Sequence, residues 1–305
     1  MCLINKTTLY ILLFSKICWA TFSIVAVDPE TGEVGSAGGS CIAGSIIISD
    51  LHISQGVIHT QSYYHPTNQN NASNYMNQGY SPQEIINYLI DNDVSNNPGI
   101  RQYGVVDLEN NGRSASFTGE TCSDWKGHLN GATYAIQGNI LLGPEILEEM
   151  EENFLNANGP LSHKLMSALQ GAKVPGADTR CLDEGISTLS SFIRVAKPEN
   201  NPNDIFLDLN VNSVTSHHNQ TGEWIDPIDS LQTLYDGWVQ NQIDSELGDV
   251  NSDTIIDILD VVNMVNFIMG NSQPSFEQQY LGDLNQDTII NIQDIILIIN
   301  IILSS

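Results

Sequence analysis

Basic residues are scarce in this sequence. Its 305 residues include 10 lysines and arginines against 36 aspartates and glutamates, so the formal charge is −26 at pH 7. A protein with that charge is repelled by the phosphates of nucleic acids and by anionic membranes. Nucleic acid is therefore not an expected partner, and the length indicates roughly two domains with a sizeable core.

The N-terminal region has no apolar run long enough for a membrane span. The run Leu9–Phe14 is much shorter than the ~20 apolar residues that cross a bilayer. It follows Lys6 and precedes small residues at Cys18 and Ala20, a pattern typical of a signal peptide that is cleaved after Ala20. A lipid anchor on Cys18 is the alternative. We predict a signal peptide over residues 1–20 and a secreted protein, extracellular or associated with the cell surface, without a membrane span.

Cysteine is also rare. Cleavage after Ala20 leaves three cysteines, Cys41, Cys122 and Cys181. Three thiols form at most one intramolecular disulfide and leave one thiol over. The sequence does not give the connectivity; the pair that we expect is Cys41 with Cys181.

The region from Thr21 to Val211 has a mixed pattern of strands and helices. Thr21–Asp28 and Glu33–Ser40 flank a turn and predict a hairpin. Ser81, followed by proline and then by Glu84, predicts a capped helix start. Further strands are predicted at Val57–Gln61, Tyr103–Leu108, Ser114–Thr118, Thr133–Gln137, Leu189–Val195 and Ile205–Val211, and further helices from Pro144, at Leu161–Gln170 and at Pro227–Val239. Strands at both ends with helices between them indicate an α+β fold of packed layers.

The C-terminal segment contains a duplicated acidic loop. Residues 249–260 recur at 283–294, an offset of 34 residues (283 minus 249), and an apolar helix is predicted after each copy. Oxygen donors fall at loop positions 1, 3, 5, 9 and 12, with a backbone carbonyl at position 7, which is the array that Ca²⁺ requires. The predicted ligands of two Ca²⁺ ions are Asp249, Asn251, Asp253, Ile255, Asp257 and Asp260 in the first loop, and Asp283, Asn285, Asp287, Ile289, Asn291 and Asp294 in the second.

This repeat, at residues 248–305, resembles a type I dockerin, a small calcium-dependent module that docks onto a cohesin. It departs from an ordinary EF-hand in having aspartate at position 12, threonine at position 6 (Thr254 and Thr288) and no expected incoming helix. The resemblance implies a small all-α module and a cohesin partner on a scaffold or cell surface. Positions 10 and 11 help to choose the cohesin in that family. They are Ile258 and Leu259 in the first copy but Ile292 and Gln293 in the second, so symmetric binding in two orientations is not expected.

The region before the repeat resembles the family of uncharacterised proteins called DUF1028, placed among the N-terminal nucleophile (Ntn) hydrolases. The resemblance is carried by Thr21–Gly35, Gln102–Asp107, Ser116–Gly119, Trp125–His128 and Tyr134–Leu141. It covers residues 21–240, which leaves 241–247 as a linker. It implies a four-layer αββα sandwich with the nucleophile at the start of the first strand, and it names no substrate and no cofactor for this domain.

Thr21 has the chemistry of such a nucleophile independently of the resemblance. Cleavage after Ala20 places a hydroxyl and a free α-amino group on one residue, and an amine with a pKa near 8 is an effective base at neutral pH. Asn139, beside a glycine, is the predicted donor to the oxyanion. The other candidates are Asp28 and His59 for catalysis, and Ser40, Gln61 and Arg180 for orienting the amine or binding the substrate.

Each of these residues also has a structural interpretation. Thr21 is alternatively the first residue of a trimmed strand, Asn139 a turn residue, His59 a structural polar residue, and Arg180 the partner of an internal ion pair. The sequence thus leaves two functions open. The first is a secreted amidohydrolase that acts on a small amide or peptide-like substrate. The second is a non-catalytic component of an extracellular assembly, associated with polysaccharide breakdown only through the dockerin resemblance; a glycosidase ranks third because no acid pair is identifiable.

Overall fold

The computed structural model describes residues 21–212, 222, 224–285 and 287–304, with the side chains of 243–246, 276 and 277 left aside. The predicted signal peptide, residues 1–20, lies outside the described residues. The chain divides into two compact units between Gln232 and Thr233. Among the helices that the structure describes, none combines the length and the apolarity needed to cross a membrane.

The first unit contains two antiparallel sheets. A six-stranded sheet has the order β10-β9-β2-β1-β8-β7, and a four-stranded sheet has the order β3-β4-β5-β6. The strands are β1 (Thr21–Asp28), β2 (Glu33–Ser40), β3 (Ser49–His52), β4 (Gly56–Ser62), β5 (Arg101–Asp107), β6 (Arg113–Thr118), β7 (Gly127–Asn130), β8 (Tyr134–Asn139), β9 (Ser190–Ala196) and β10 (Leu207–Asn212).

Helices cover the outer face of each sheet. The helices of this unit are α1 (Pro66–Met76), α2 (Pro82–Asp91), α3 (Glu145–Asn156) and α4 (Leu161–Gly171), and α5 (Pro227–Glu246) begins in it. The first two pack on the four-stranded sheet, α3 and α4 pack on the six-stranded sheet, and the two sheets face each other. The prediction of a mixed α+β fold is confirmed.

The space between the sheets is apolar at one end. Val25, Val27, Val57 and Val106 are fully or almost fully buried there, together with Ala135. Because side chains alternate along a strand, the same faces of β1, β4, β5 and β8 continue toward the other end of the sandwich. There they carry the polar side chains on which the candidate site is built.

Local sequence signals explain several element boundaries. Ser81 accepts from the Glu84 backbone N–H and the Glu84 carboxylate accepts from the Ser81 N–H, so the predicted capping box is present at the start of α2. The turn between β5 and β6 places Asn110, Asn111 and Gly112 at positive φ, which asparagine and glycine tolerate best. The capped start of α2 was predicted from the sequence.

Three elements and the predicted linker differ from the sequence-based expectations. The polar segment 68–77, for which we predicted no element, lies largely in α1, and the short strands β3 and β7 were not predicted. The predicted linker, residues 241–247, is helical as far as Glu246. No glycine or proline occurs between Gln240 and Leu247 to end that helix, and Gly248 follows with φ +106.

The second unit contains the duplicated loops. After the remainder of α5 it has α6 (Ile258–Ile268), α7 (Phe276–Gly282) and α8 (Ile292–Ser304), and Val250, Val261, Met264, Ile295 and Ile298 form its core. The expectation that no helix leads into the loops is wrong. The second loop begins directly after α7, and α5 ends three residues before the first loop begins at Asp249.

Candidate functional site

Thr21 lies inside the six-stranded sheet, at the place where the ends of β2, β1 and β8 meet. It is the first residue of β1 and pairs with Asn139, the last residue of β8. On the other side, Phe22 pairs with Gly39, so Ser40 at the end of β2 lies at the same place. Thr21, Asn139 and Ser40 are buried, with Thr21 only 1% exposed. The structure therefore brings together three of the predicted site residues.

A network of buried amides links these strand ends to the facing sheet. Gln61 on β4 donates from Nε2 to the Thr21 carbonyl (3.3 Å) and to Gln102 Oε1 (2.8 Å). Asn139 Nδ2 donates to the same Gln102 oxygen (3.1 Å). Ser23 donates to Gln61 Oε1 (2.6 Å) and accepts from Gln137 Nε2 (2.7 Å). These hydrogen bonds fix the main chain of Thr21 and the side chain of Asn139.

Gln102, Gln137 and Ser23 were not predicted as site residues. Their only signal in the sequence is that they are polar residues inside otherwise apolar strands, at positions where an apolar residue is usual. Gly104 is part of the same arrangement, because a Cβ at that position would overlap the side-chain oxygen of Gln137. The network thus depends on residues of both sheets that are far apart in the chain.

His59 lies next to this network and is neutral. Its ring is fully buried, its Nδ1 accepts from Gln137 Nε2 (3.4 Å), and its edge faces Phe192. Burial, and after it the positive charge of Arg194, lower the pKa of His59 to about 3. His59 Nε2 has no hydrogen-bond partner among the described residues. A histidine that is held as the neutral imidazole is a poor proton donor near neutral pH.

The buried His59 predicts a specific dependence of stability on pH. Its pKa is about 3 in the folded chain and about 6.5 when unfolded, so the unfolded chain binds the extra proton between these values. The free energy of unfolding therefore decreases as the pH falls below 6.5. The decrease between pH 7.5 and pH 5 is roughly 2 kcal/mol. In urea unfolding followed by circular dichroism, His59→Gln should reduce the pH-dependent loss by that amount.

The matched control is His163→Gln, since His163 is an exposed histidine on α4. This substitution should leave the difference in unfolding free energy between pH 7.5 and pH 5 as it is in the wild type. An equal pH dependence in the wild type and in His59→Gln would show that His59 is not held neutral in the fold.

Asp28 is placed away from Thr21. It is the last residue of the eight-residue strand that Thr21 begins. At ~3.3 Å per residue the two Cα atoms are about 23 Å apart. The Asp28 carboxylate therefore cannot orient the Thr21 amine, and the prediction that it does so is wrong.

Arg180 lies beside the end of β2. Its guanidinium makes a two-point ion pair with the buried Asp178, from Nε to Oδ1 (3.0 Å) and from Nη2 to Oδ2 (2.7 Å), and Nη2 also donates to Ser40 Oγ (3.3 Å). Asp178 Oδ2 accepts from the backbone N–H of Cys41 (2.7 Å). Cys41 and Cys181 are joined by a disulfide. The ion pair and the disulfide together attach the Arg180 segment to the strand end.

The duplicated loops have the same internal hydrogen bonds. The position 1 carboxylate of each loop accepts from the N–H of the threonine at position 6, at 2.8 Å for Asp249 with Thr254 and 2.6 Å for Asp283 with Thr288. Both threonines have positive φ, 71° and 75°. These bonds hold a β-branched residue in a conformation that glycine usually adopts.

The position 12 carboxylates close the loops. Asp260 accepts from the N–H groups of loop positions 3 and 9, at 3.0 and 2.9 Å, and Asp294 does the same at 3.1 and 2.9 Å. Both side chains are fully buried. Each loop therefore directs carboxylates from its two ends toward its interior.

The charges of the module fit a divalent cation. Residues 248–305 contain no lysine, arginine or histidine, and their acidic residues are Asp249, Asp253, Asp257, Asp260, Glu277, Asp283, Asp287 and Asp294. Buried carboxylates without a cation are unfavourable, and the oxygen-only donor set suits Ca²⁺. Within the described residues, no three His, Cys, Asp or Glu side chains converge as placed to hold a metal ion; the loop carboxylates accept from backbone N–H groups instead.

Comparisons with known proteins agree with this division of the chain. The family of unknown function DUF1028 matches residues 21–220, and the dockerin type I domain matches residues 247–303. A search of curated proteins finds no match. The fold is similar to the crystal structure of protein SPO2555 from Silicibacter pomeroyi, with a TM-score of 0.57 and 24% identity over 72% of this chain and 88% of that chain.

Dockerin type I domains bind calcium and dock onto cohesins, which agrees with the two acidic loops of the second unit. The first family match covers the strands and helices around Thr21 and most of the chain. This chain therefore belongs to the DUF1028 family and carries a dockerin type I domain at its C-terminal end.

Proposed function

We propose that the DUF1028 domain is an Ntn-type hydrolase that cleaves an amide or peptide-like bond, with Thr21 as the nucleophile after cleavage behind Ala20. The main support is the position of Thr21 as the first residue of β1, opposite Asn139 and beside the buried amide network. The two sheets with helices outside them suit the αββα sandwich of that class.

The reaction would proceed in two steps at Thr21. The α-amino group takes the proton of the hydroxyl while Oγ attacks the carbonyl carbon of the substrate, and the same proton passes to the leaving nitrogen as the C–N bond breaks. The resulting ester on Thr21 is hydrolysed by a water that the amine activates. Gln61 supports this geometry, because it binds the Thr21 carbonyl and leaves the residue little freedom to rotate.

Ser40 and Arg180 are the proposed substrate-binding residues. Ser40 lies one strand away from Thr21, and Arg180, with 28% of its side chain exposed, is bonded to Ser40 Oγ. A guanidinium recognises carbonyl and carboxylate oxygens. The ion pair with Asp178 holds the guanidinium of Arg180 in place near the strand ends where the nucleophile lies.

The dockerin domain anchors the chain. Dockerin domains bind calcium, dock onto cohesins and occur in extracellular proteins. The domain would therefore attach this protein to whatever scaffold or surface protein carries the cohesin. We propose that the signal peptide exports the chain, that export also creates the Thr21 amine, and that the hydrolase then acts within an assembly at the cell surface. Polysaccharide breakdown by neighbouring proteins is proposed from the dockerin alone.

The nucleophile can be tested without knowing the substrate. A β-lactone should acylate Thr21 Oγ: the ring C–O bond breaks, an ester forms, and the proton moves to the released alkoxide. Intact mass of the exported protein should show Thr21 as the first residue and one added acyl group, located on Thr21 by fragmentation. A chain with one extra glycine before Thr21 is the control, since it lacks the Thr21 amine and should not react. If the mature chain begins at another residue, or if Thr21 is not acylated, the hydrolase proposal is wrong. The non-catalytic component of an assembly would then be the function that remains.

A further inference from the structure

We propose that Gln102 is a positioning residue that turns the side-chain oxygen of Asn139, rather than its N–H group, toward the amine of Thr21. The proposal rests on the function proposed above and changes the role of Asn139. Asn139 then accepts a hydrogen bond from the amine and orients the base, in place of donating to the oxyanion.

The orientation of the Gln102 amide follows from its neighbours. Its Nε2 lies 2.8 Å from the Gly138 carbonyl, 3.0 Å from the Gly127 carbonyl and 2.9 Å from Thr118 Oγ1. Carbonyl oxygens only accept hydrogen bonds. The opposite orientation would place Gln102 Oε1 against two carbonyl oxygens, so the nitrogen must face them and the oxygen must face away.

The orientation of Gln102 determines that of Asn139. Gln102 Oε1 needs donors, and the groups beside it are Gln61 Nε2 (2.8 Å) and Asn139 Nδ2 (3.1 Å). Gln61 independently requires its nitrogen there, since it also lies near the Thr21 and Gln137 carbonyls. Asn139 therefore turns Nδ2 to Gln102 and Oδ1 to the other side.

Asn139 Oδ1 is buried and has no hydrogen-bond partner among the described residues. An unpaired buried acceptor is unfavourable and calls for a donor. Thr21 is the direct cross-strand partner of Asn139, and such partners have Cβ atoms about 5 Å apart on the same face. The amine that cleavage creates at Thr21 is a donor at this place, and a bond to Oδ1 would aim its lone pair at the hydroxyl.

The pH dependence of β-lactone acylation separates the acceptor role from the oxyanion role. Rates are measured by intact mass from pH 5 to 9. Asn139→Asp puts a negative oxygen beside the amine and so raises the pKa of the amine. The pH at which the acylation rate falls on the acid side of the profile should therefore increase by about one unit or more. Gln102→Met, which frees Asn139, should lower the rate about tenfold. If Asn139→Asp lowers the rate equally at every pH without moving that fall, the acceptor role is wrong.

A second measurement keeps the proposal testable if Thr21 is not acylated. Side-chain amide NMR of the full chain should show slow exchange of an Asn139 Nδ2 proton, and Gln102→Met should make that exchange fast while circular dichroism confirms folding. Loss of acylation with slow exchange retained would end the hydrolase proposal but keep the Asn139 orientation. Fast exchange in the wild type, or a Gln102→Met variant with unchanged exchange, would overturn the orientation.

Discussion

Under the proposed mechanism, Thr21→Ala should lower the rate of hydrolysis by at least about 10³-fold, the largest effect expected of any single substitution in the first unit. The change removes the attacking oxygen and leaves the amine without a hydroxyl to deprotonate. Thr21 begins a strand that is bonded on both sides, so the loss of one small side chain leaves the pairing of β1 with β2 and β8 in place. Turnover of the best amide from a panel of N-acyl p-nitroanilides measures the loss.

Two further variants make this result specific. Thr21→Ser keeps both the hydroxyl and the amine and should retain activity within about tenfold, whereas Thr21→Val keeps the shape and should be as inactive as alanine. Intact mass must first show that every variant begins at residue 21. Equal turnover in the wild type and Thr21→Val would mean that another residue carries the reaction.

Removal of calcium should unfold the second unit and abolish cohesin binding. Its core is small, and the buried carboxylates of Asp249, Asp260, Asp283 and Asp294 have no basic residue in the module to offset them. At calcium one hundred times above Kd, each site adds about 2.7 kcal/mol of stability. Chelation should therefore lower the helical circular dichroism signal, and returned calcium should restore it.

Single substitutions localise the effect to the loops. Calorimetry of the full chain should show two calcium sites, with Asp249→Ala and Asp283→Ala each weakening one site by roughly 100-fold, because each removes a ligand that also organises its loop. Glu277→Gln, outside both loops, is the control and should leave both sites intact. Heat of binding that persists in the double aspartate variant would place the calcium elsewhere.

The fold was predictable where local chemistry determines it. The alternating residues of Thr21–Asp28 and the small residues of Glu33–Ser40, on either side of a turn, predicted β1 and β2 with their observed bounds. Ser81 with Glu84 predicted the start of α2. The helix α1 was missed because two of its four buried residues, Asn68 and Gln69, are polar. Asn68 there donates to Asp93 (2.7 Å) and to the Tyr103 hydroxyl (2.9 Å), so no apolar period marks the helix.

The candidate site was predictable in part. Thr21 and Asn139 were chosen by chemistry and neighbouring glycine, and the strand register pairs them. Asp28 was chosen as a residue at a strand end, but it ends the same strand that Thr21 begins, so the whole length of β1 separates the two residues. Gln102 was missed because its role depends on partners from other strands, such as Gln61, which lies 41 residues away in the chain. The sequence alone does not show that these residues are neighbours, because their contacts depend on how the strands of both sheets pair and pack.

The disulfide bears on how the protein should be produced. It joins the end of β2 to the segment that holds Arg180, across a sequence separation of 140 residues. In the chain-entropy account, closing a loop of that length restricts the unfolded chain by about 5 kcal/mol. A reducing cytoplasm keeps thiols free, so recombinant protein from a standard cytosolic host would lack this bond. Material from the periplasm, or refolded with an oxidant, would keep Arg180 tied to the strand end.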